Sequence, residues 1–121
     1  MADSPIRVLR MPPGSTPGAL SPVDPGRVLR GLPEQATDNR FSNAKGNFHC
    51  GVWSSTAGQW RVAYTEDEFC VLLEGTAILR DATGHAETFG PGEAFVIPAG
   101  FEGSWESVGS VRKFYAVYED A

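Results

Sequence analysis

A chain of 121 residues with a net charge of −5 is long enough for one domain with one hydrophobic core. The negative charge argues against a nucleic-acid partner, and no apolar run approaches the roughly 20 residues that a membrane span needs. The start of the sequence lacks an apolar signal-peptide core. We expect Cys50 and Cys70 to be free buried thiols, which fits a reducing compartment, and we therefore expect a cytoplasmic protein.

The first 40 residues differ from the rest in proline content and in charge. They hold seven of the nine prolines and a net charge of +1, whereas residues 41–121 carry −6. Proline fixes φ and lacks the N–H that a strand donates, so long strands are not expected in residues 1–40. Residues 6–10 and 27–30 are candidates for brief edge strands. We interpret residues 1–40 as an N-terminal arm, either ordered over the domain or a flexible tail, and residues 41–121 as the folded domain.

From residue 41 onward, short apolar segments alternate with turn residues every 8–12 positions, and no window predicts an amphipathic helix. This pattern is typical of an all-β sandwich or barrel. The predicted strands are residues 47–53, 59–64, 68–73, 76–80, 87–89, 94–97, 103–107 and 111–118, with residues 68–73 and 76–80 joined at Gly75.

The segment 68–73 is apolar on both of its strand faces. Phe69, Val71 and Leu73 lie opposite Cys70 and Leu72, whereas a strand covered on one side should alternate with polar residues. A second sheet, the N-terminal arm or a partner subunit must then cover the outer face. We expect a homodimer, and the sequence leaves open whether the arm packs on its own subunit or on its neighbour.

Two spacings in this chain resemble those of small single-domain cupins over about residues 51–118. Glu68 is followed by six residues and Gly75, as in the first cupin motif, and the second motif matches at Gly92, Pro98 and Gly100. Within the cupins, the amino-acid sequence resembles the branch typified by ureidoglycine aminohydrolase at residues 51–53, 67–70, 101–106 and 111–113. The resemblance implies a double-stranded β-helix, that is, a jelly-roll barrel with a proline-rich N-terminal arm.

The histidines that metal-binding cupins place around the glutamate are missing here. The corresponding positions hold one poor ligand and two residues with no ligating side chain, namely Tyr64, Val62 and Gly103. His85 is expected in a solvated turn, and His49 either supports a strand end or reaches the barrel mouth. We therefore expect no metal and no other cofactor.

The resemblance also implies that Glu68 points into the barrel. Residues two apart share a strand face, so Cys70 should follow Glu68 inward, and Gly103 should leave space where a histidine would otherwise stand. A buried carboxylate needs a partner, and Lys113 is the predicted one. The predicted ligand-binding residues are Trp60, Tyr64, Glu68, Cys70, Trp105 and Lys113, with indole N–H groups among the hydrogen-bond donors to the ligand.

An aromatic pocket with few polar groups is typical of a small-molecule site. The first hypothesis is a protein that binds a small polar or cationic metabolite without metal, anchored by Glu68. The second is an enzyme of isomerase, lyase or aminohydrolase type, with Glu68 as the catalytic general acid or base. The third is a dimeric structural or partner subunit. For Trp60 and Cys70, a purely structural role in the core stays open.

Overall fold

The computed structural model describes residues 5–14 and 18–120, and this part of the chain is built from strands and contains no helix. The all-β prediction is therefore confirmed. The described residues therefore offer no helix that could span a membrane. The strands are β1 (Ser21–Pro22), β2 (Val28–Arg30), β3 (Glu34–Ser42), β4 (Phe48–Ser55), β5 (Gly58–Ala63), β6 (Asp67–Asp81), β7 (Ala86–Phe89), β8 (Ala94–Ile97) and β9 (Glu102–Tyr118).

The nine strands form one antiparallel sheet that folds over on itself into two layers. In the first layer, β3, β4, the second half of β9, the first half of β6 and β8 lie side by side, with β1 on the outer edge of β3. In the second layer, β2, β5, the first half of β9, the second half of β6 and β7 follow one another. This two-layered arrangement is the predicted jelly roll.

Two long strands, β6 and β9, pass from one layer to the other, and each bends at a glycine. Gly75 has a φ of 86° and Gly109 a φ of 76°, in the left-handed region that favours glycine. A Cβ on Gly75 would also collide with the carbonyl oxygen of Ser110. The sequence prediction of two separate strands joined at Gly75 is therefore wrong, because this glycine bends a continuous strand and shifts its register.

The region before residue 41 contributes more to the sheet than the sequence predicts. Strand β3 runs from Glu34 to Ser42 and pairs along β4, so the expectation of no long strand before residue 41 is wrong. Every proline of the region precedes residue 34, which leaves β3 with a full set of donors. The predicted domain boundary at residue 40 falls inside this strand. Of the two candidate edge strands, residues 28–30 form β2, whereas residues 6–10 form no strand.

The core lies between the layers and follows the predicted alternation in β6. Glu68, Cys70 and Leu72 point inward and are buried, and Phe69 points outward. On the outer face of the single chain, Phe69 is 49% and Val96 61% exposed, so the described residues do not cover these two side chains.

Candidate functional site

A cavity of about 310 Å³ opens between the two layers. Five of the six predicted ligand-binding residues line it, namely Trp60, Tyr64, Glu68, Trp105 and Lys113. The sixth, Cys70, has no exposed surface and lies in the core beside Glu68 and Lys113. The structure thus brings the predicted residues together, and their role in ligand binding stays a prediction.

A carboxylate, an ammonium group and a thiol meet at the buried end of the cavity. Nζ of Lys113 lies 2.6 Å from Oε2 of Glu68, which confirms the predicted pair, and their side chains are only 5% and 10% exposed. The Cys70 thiol donates to the same Oε2 at 3.1 Å, and Nζ of Lys113 lies 3.5 Å from Sγ. These groups come together because residues 68 and 70 share the inner face of β6, while β9 places Lys113 beside them.

The Lys113 ammonium also lies over two indole rings. Its Nζ is 4.8 Å from the ring centroid of Trp53 and 4.3 Å from that of Trp105. These distances fit cation–π interactions, which are strongest where water is excluded. The two rings are themselves packed edge to face, with centroids 5.3 Å apart. Lys113 is therefore held by one carboxylate on one side and by aromatic faces on the other.

The indole N–H of Trp105, one of the two predicted indole donors, is used within the protein, as is that of Trp53. Nε1 of Trp105 donates to Oγ of Ser107 at 2.8 Å, and Nε1 of Trp53 donates to Oε1 of Gln35 at 3.1 Å. Both donors are used within the protein because a buried N–H needs a partner. These two tryptophans can offer a ligand their ring faces but not these hydrogen bonds.

Burial and nearby charges together set the protonation state of the groups around Glu68. Burial raises the pKa of the Cys70 thiol to about 12, with Lys113 opposing and Glu68 adding to the shift. Burial also raises the pKa of the Tyr64 hydroxyl to about 12. For Lys113, burial opposes the charge, but Coulombic attraction by Cys70 and Glu68 outweighs burial and raises its pKa. At neutral pH the site thus holds a thiol, a phenol and an ammonium, none of which is a strong nucleophile.

Sequence reasoning missed several residues of the cavity wall. Tyr115 shares the inner face of β9 with Lys113, so the alternation of side chains could have identified it; its hydroxyl donates to Oδ1 of Asn39 at 2.7 Å. Trp53 is brought opposite Lys113 only by the pairing of β4 with β9. Arg27, from the loop before β2, also lines the cavity, and no local pattern in the sequence indicates this.

The positions at which related metal sites hold histidines do not fit a metal here. Val62 has no donor atom, and Gly103 leaves no space, contrary to the prediction, because a Cβ there would collide with the carbonyl oxygen of Arg80. The Lys113 ammonium stands 2.6 Å from Glu68, where a second cation would be repelled. Within residues 5–14 and 18–120, no three His, Cys, Asp or Glu side chains lie close enough together to hold an ion.

The two histidines lie outside the cavity. His49 contacts Oγ of Ser42 at 2.7 Å and the carbonyl oxygen of Gly46 at 3.0 Å, so it supports the hairpin between β3 and β4. His85 lies in an exposed turn, as predicted, and pairs with Glu87 at 2.9 Å. Of the open alternatives for His49, the structural one matches these contacts.

The folded-over sheet and the carboxylate inside it define the chain as a cupin. A family model described as the EutQ-like cupin domain matches residues 42–115, and the chain belongs to this family. No curated protein matches the chain.

The chain is also similar to several solved structures. A protein of unknown function from the DUF861 family of Pseudomonas syringae is 32% identical, with a TM-score of 0.74 over 83% of this chain and 44% of its own. A DUF861 protein from Thermotoga maritima is 25% identical, with a TM-score of 0.51 over 53% and 73%. The Clostridium difficile EutQ protein is 20% identical, with a TM-score of 0.64 over 71% and 63%, and shows the fold alone. The chain thus spans less than half of the Pseudomonas protein.

Proposed function

We propose that this chain binds a small polar metabolite in the barrel cavity, with Glu68 as the hydrogen-bond acceptor. One observation carries the proposal. Glu68 lines the cavity, both donors that reach its carboxylate are taken by Oε2, and Oε1 accepts no hydrogen bond from the described part of the chain. Within the described residues no buried carboxylate oxygen lacks a partner, so Oε1 is not sealed off from the cavity and can accept a hydrogen bond from a ligand or from water. The ligand should therefore present an N–H or O–H group to Oε1.

The charges around the cavity favour a neutral polar group over a cation. Lys113 already compensates Glu68 at 2.6 Å, and the wall carries one further base and one further acid, Arg27 and Glu66. A cationic ligand at Oε1 would be attracted by Glu68 but repelled by Lys113 on the other carboxylate oxygen, so the pair attracts a cation less than a carboxylate without a counter-ion would. Of the two ligand classes predicted from the sequence, the polar one has the better support.

The three tryptophans of the chain, Trp53, Trp60 and Trp105, all line this cavity, so intrinsic fluorescence reports on its occupancy. We would titrate acetamide, urea, glycine, methylamine and glycerol, with and without EDTA. We expect saturable changes with the amide or urea that persist in EDTA and weaken at least about tenfold in Glu68→Gln, which removes one acceptor and the charge of the other.

Two variants control this titration. Glu87→Gln makes the same chemical change on exposed β7 and should bind as the parent does. Glu68→Gln/Lys113→Met removes both charges of the buried pair, so that weaker binding does not result from an uncompensated ammonium. Saturable binding of equal strength in Glu68→Gln, or binding abolished by EDTA, contradicts the proposal.

A second candidate is an enzyme in which Glu68 acts as the general base. The same Oε1, which accepts no hydrogen bond from the described residues, favours it. Burial raises the pKa of Tyr64 to about 12 and so keeps its hydroxyl protonated as a donor. The resemblance to the ureidoglycine-aminohydrolase branch supports isomerase, lyase or aminohydrolase chemistry. Turnover whose pH profile loses its acidic limb in Glu68→Gln would favour the enzyme over the binding protein.

The expected surroundings of the protein belong to the same proposal. Cys50 and Cys70 are free, which supports a reducing, cytoplasmic setting. The net charge of −5 supports the expectation that neither nucleic acid nor an anionic membrane is a partner. Sedimentation of the purified chain with duplex DNA and with anionic vesicles would test the second expectation, and co-sedimentation with either would contradict it.

A further inference from the structure

A glutamine on the wall of the cavity is held in one orientation. Gln35 belongs to β3 and lines the same cavity as Glu68. Its Oε1 accepts a hydrogen bond from Nε1 of Trp53 at 3.1 Å. An indole N–H can only donate, so the amide atom that it meets must be the oxygen, and the other amide atom must be the nitrogen. Trp53 thus determines which end of the Gln35 amide each neighbour meets.

The amide nitrogen of Gln35 is available to a ligand. Nε2 donates no hydrogen bond to any residue that the structure describes. It is also not one of the fully buried polar atoms without a partner in the described part of the chain, so it is not sealed inside the protein. The amide cannot turn over without placing its nitrogen against another donor, the Trp53 indole. Nε2 is therefore a fixed donor directed at a ligand or at water.

The cavity wall thus carries a fixed donor and a fixed acceptor. The acceptor is Oε1 of Glu68, which receives no hydrogen bond from the described residues. The two groups belong to neighbouring parts of the wall, because Trp53 contacts both Gln35 and Lys113, the partner of Glu68. A ligand that satisfies both groups must accept a hydrogen bond at one position and donate one at another.

This requirement separates the classes of polar ligand. An ammonium group offers Gln35 no acceptor, and a carboxylate offers Glu68 no donor. A hydroxyl carries both functions on one oxygen, which would have to reach both parts of the wall at once. A carboxamide or a urea carries them on separate atoms, the carbonyl oxygen and the N–H.

We infer that the ligand is a neutral carboxamide or urea whose carbonyl oxygen accepts from Nε2 of Gln35 while its N–H donates to Oε1 of Glu68. Trp53 acts as a positioning residue, because its indole N–H holds the glutamine amide. The inference rests on the proposed function and adds the residue that recognises the carbonyl group. Gln35 precedes residue 42, where the match to the family model begins, so that match does not cover it.

Acetamide and thioacetamide test the carbonyl contact by calorimetric titration. The two molecules differ in one atom, since sulfur replaces the oxygen and is a weak acceptor, and both keep the NH₂ group. A neutral hydrogen bond is worth roughly two- to tenfold in affinity, so we expect the parent chain to bind acetamide about fivefold more tightly than thioacetamide. Glu68→Gln should weaken both amides and keep this ratio, because it leaves the carbonyl contact in place.

Two variants address the donor and its positioning. Gln35→Glu replaces the amide nitrogen with an oxygen and keeps the acceptor for Trp53, so it should bind acetamide at least about fivefold more weakly and bring the ratio to about one. Trp53→Phe frees the amide to turn and should lower the ratio while Gln35 stays in place. Gln59→Glu is the matched control: Gln59 is also half-buried, donates to Ser104 at 3.1 Å and does not line the cavity, so this variant should bind as the parent does.

Four results would overturn the inference. The parent chain could bind the two amides equally, Gln35→Glu could bind acetamide as the parent does, or Gln59→Glu could lose acetamide to the same extent. Tyr64→Phe could remove the preference while Gln35→Glu keeps it, which would assign the carbonyl group to the Tyr64 hydroxyl. An unchanged ratio in Trp53→Phe would contradict the positioning role.

These failures differ from a failure of the proposed function. In each of them, binding that depends on Glu68 persists and the proposed function stands, whereas absence of any binding that depends on Glu68 overturns both proposals. Circular dichroism establishes that each variant is folded. If Gln35→Glu does not fold, Gln35→Met repeats the test by removing the donor without adding a charge.

Discussion

Replacing Lys113 with methionine removes the ammonium that neutralises Glu68 inside the barrel. The carboxylate would remain in a site where its side chain is only 10% exposed, with the Cys70 thiol as its last donor. Breaking a buried ion pair on one side costs roughly 3–5 kcal/mol. We expect Lys113→Met to lower the free energy of unfolding by about 3 kcal/mol, the lower end of this range, because Glu68 lines the cavity and water can reach its carboxylate.

The converse variant, Glu68→Gln, leaves the ammonium without its anion. The faces of Trp53 and Trp105, 4.8 and 4.3 Å from Nζ, remain, and each lowers the cost of the unpaired ammonium by roughly 0.5–2 kcal/mol. We therefore expect Glu68→Gln to cost less, about 2 kcal/mol. The double variant leaves neither charge and should be more stable than Lys113→Met alone, because a buried pair replaced on both sides is close to neutral.

Urea unfolding at pH 7, followed by tryptophan fluorescence and circular dichroism, measures the four free energies of this cycle. We expect a coupling between the two positions of at least about 2 kcal/mol. Glu87→Gln, which makes the same change in an exposed pair, should leave the unfolding midpoint unchanged. Additive effects, with a coupling below about 0.5 kcal/mol, would refute the conclusion that Glu68 and Lys113 form a buried pair.

Three further predictions concern the same core. The pKa of Lys113 is raised, and that of Cys70 is raised from 9.0 to about 12, so both groups hold their protons more tightly in the folded state than in the unfolded state. Their contribution to stability should therefore be complete below about pH 9 and should fall as the pH rises toward 12. Urea unfolding at increasing pH measures this, and a free energy of unfolding that rises with pH contradicts it. Iodoacetamide should modify Cys70 only after unfolding, as read by peptide mass, because the thiol is buried and protonated. Gly103→Ala should lower the free energy of unfolding by roughly 1–3 kcal/mol, because the new methyl group collides with the Arg80 carbonyl oxygen. Gly18→Ala, where a Cβ meets open space, should leave it unchanged. Equal unfolding midpoints for the two variants would contradict this.

The fold was largely predictable from the sequence because its signals are local. Turn residues between short apolar segments identified most of the strands, and alternation along β6 and β9 identified which side chains point inward. The continuity of β6 and β9 was not predictable, since a glycine at a bend and a glycine in a turn have the same residue type. Strand β3 was missed because the proline argument was applied to all of residues 1–40, although the prolines stop at residue 33.

The sequence by itself determined that Glu68 needs a buried partner and that Lys113 is available on an inward face. The resemblance to cupins implies that Glu68 points inward, and residue type and strand alternation then lead to that inference, because an isolated buried charge is too costly to retain. Only the tertiary structure decided which other strands and loops surround the pair, since Trp53 reaches the cavity through the pairing of β4 with β9 and Arg27 through a loop. It also decided that Phe69 and Val96 share one exposed surface. Both results depend on strand register, which is a property of the assembled sheet and which no single segment encodes.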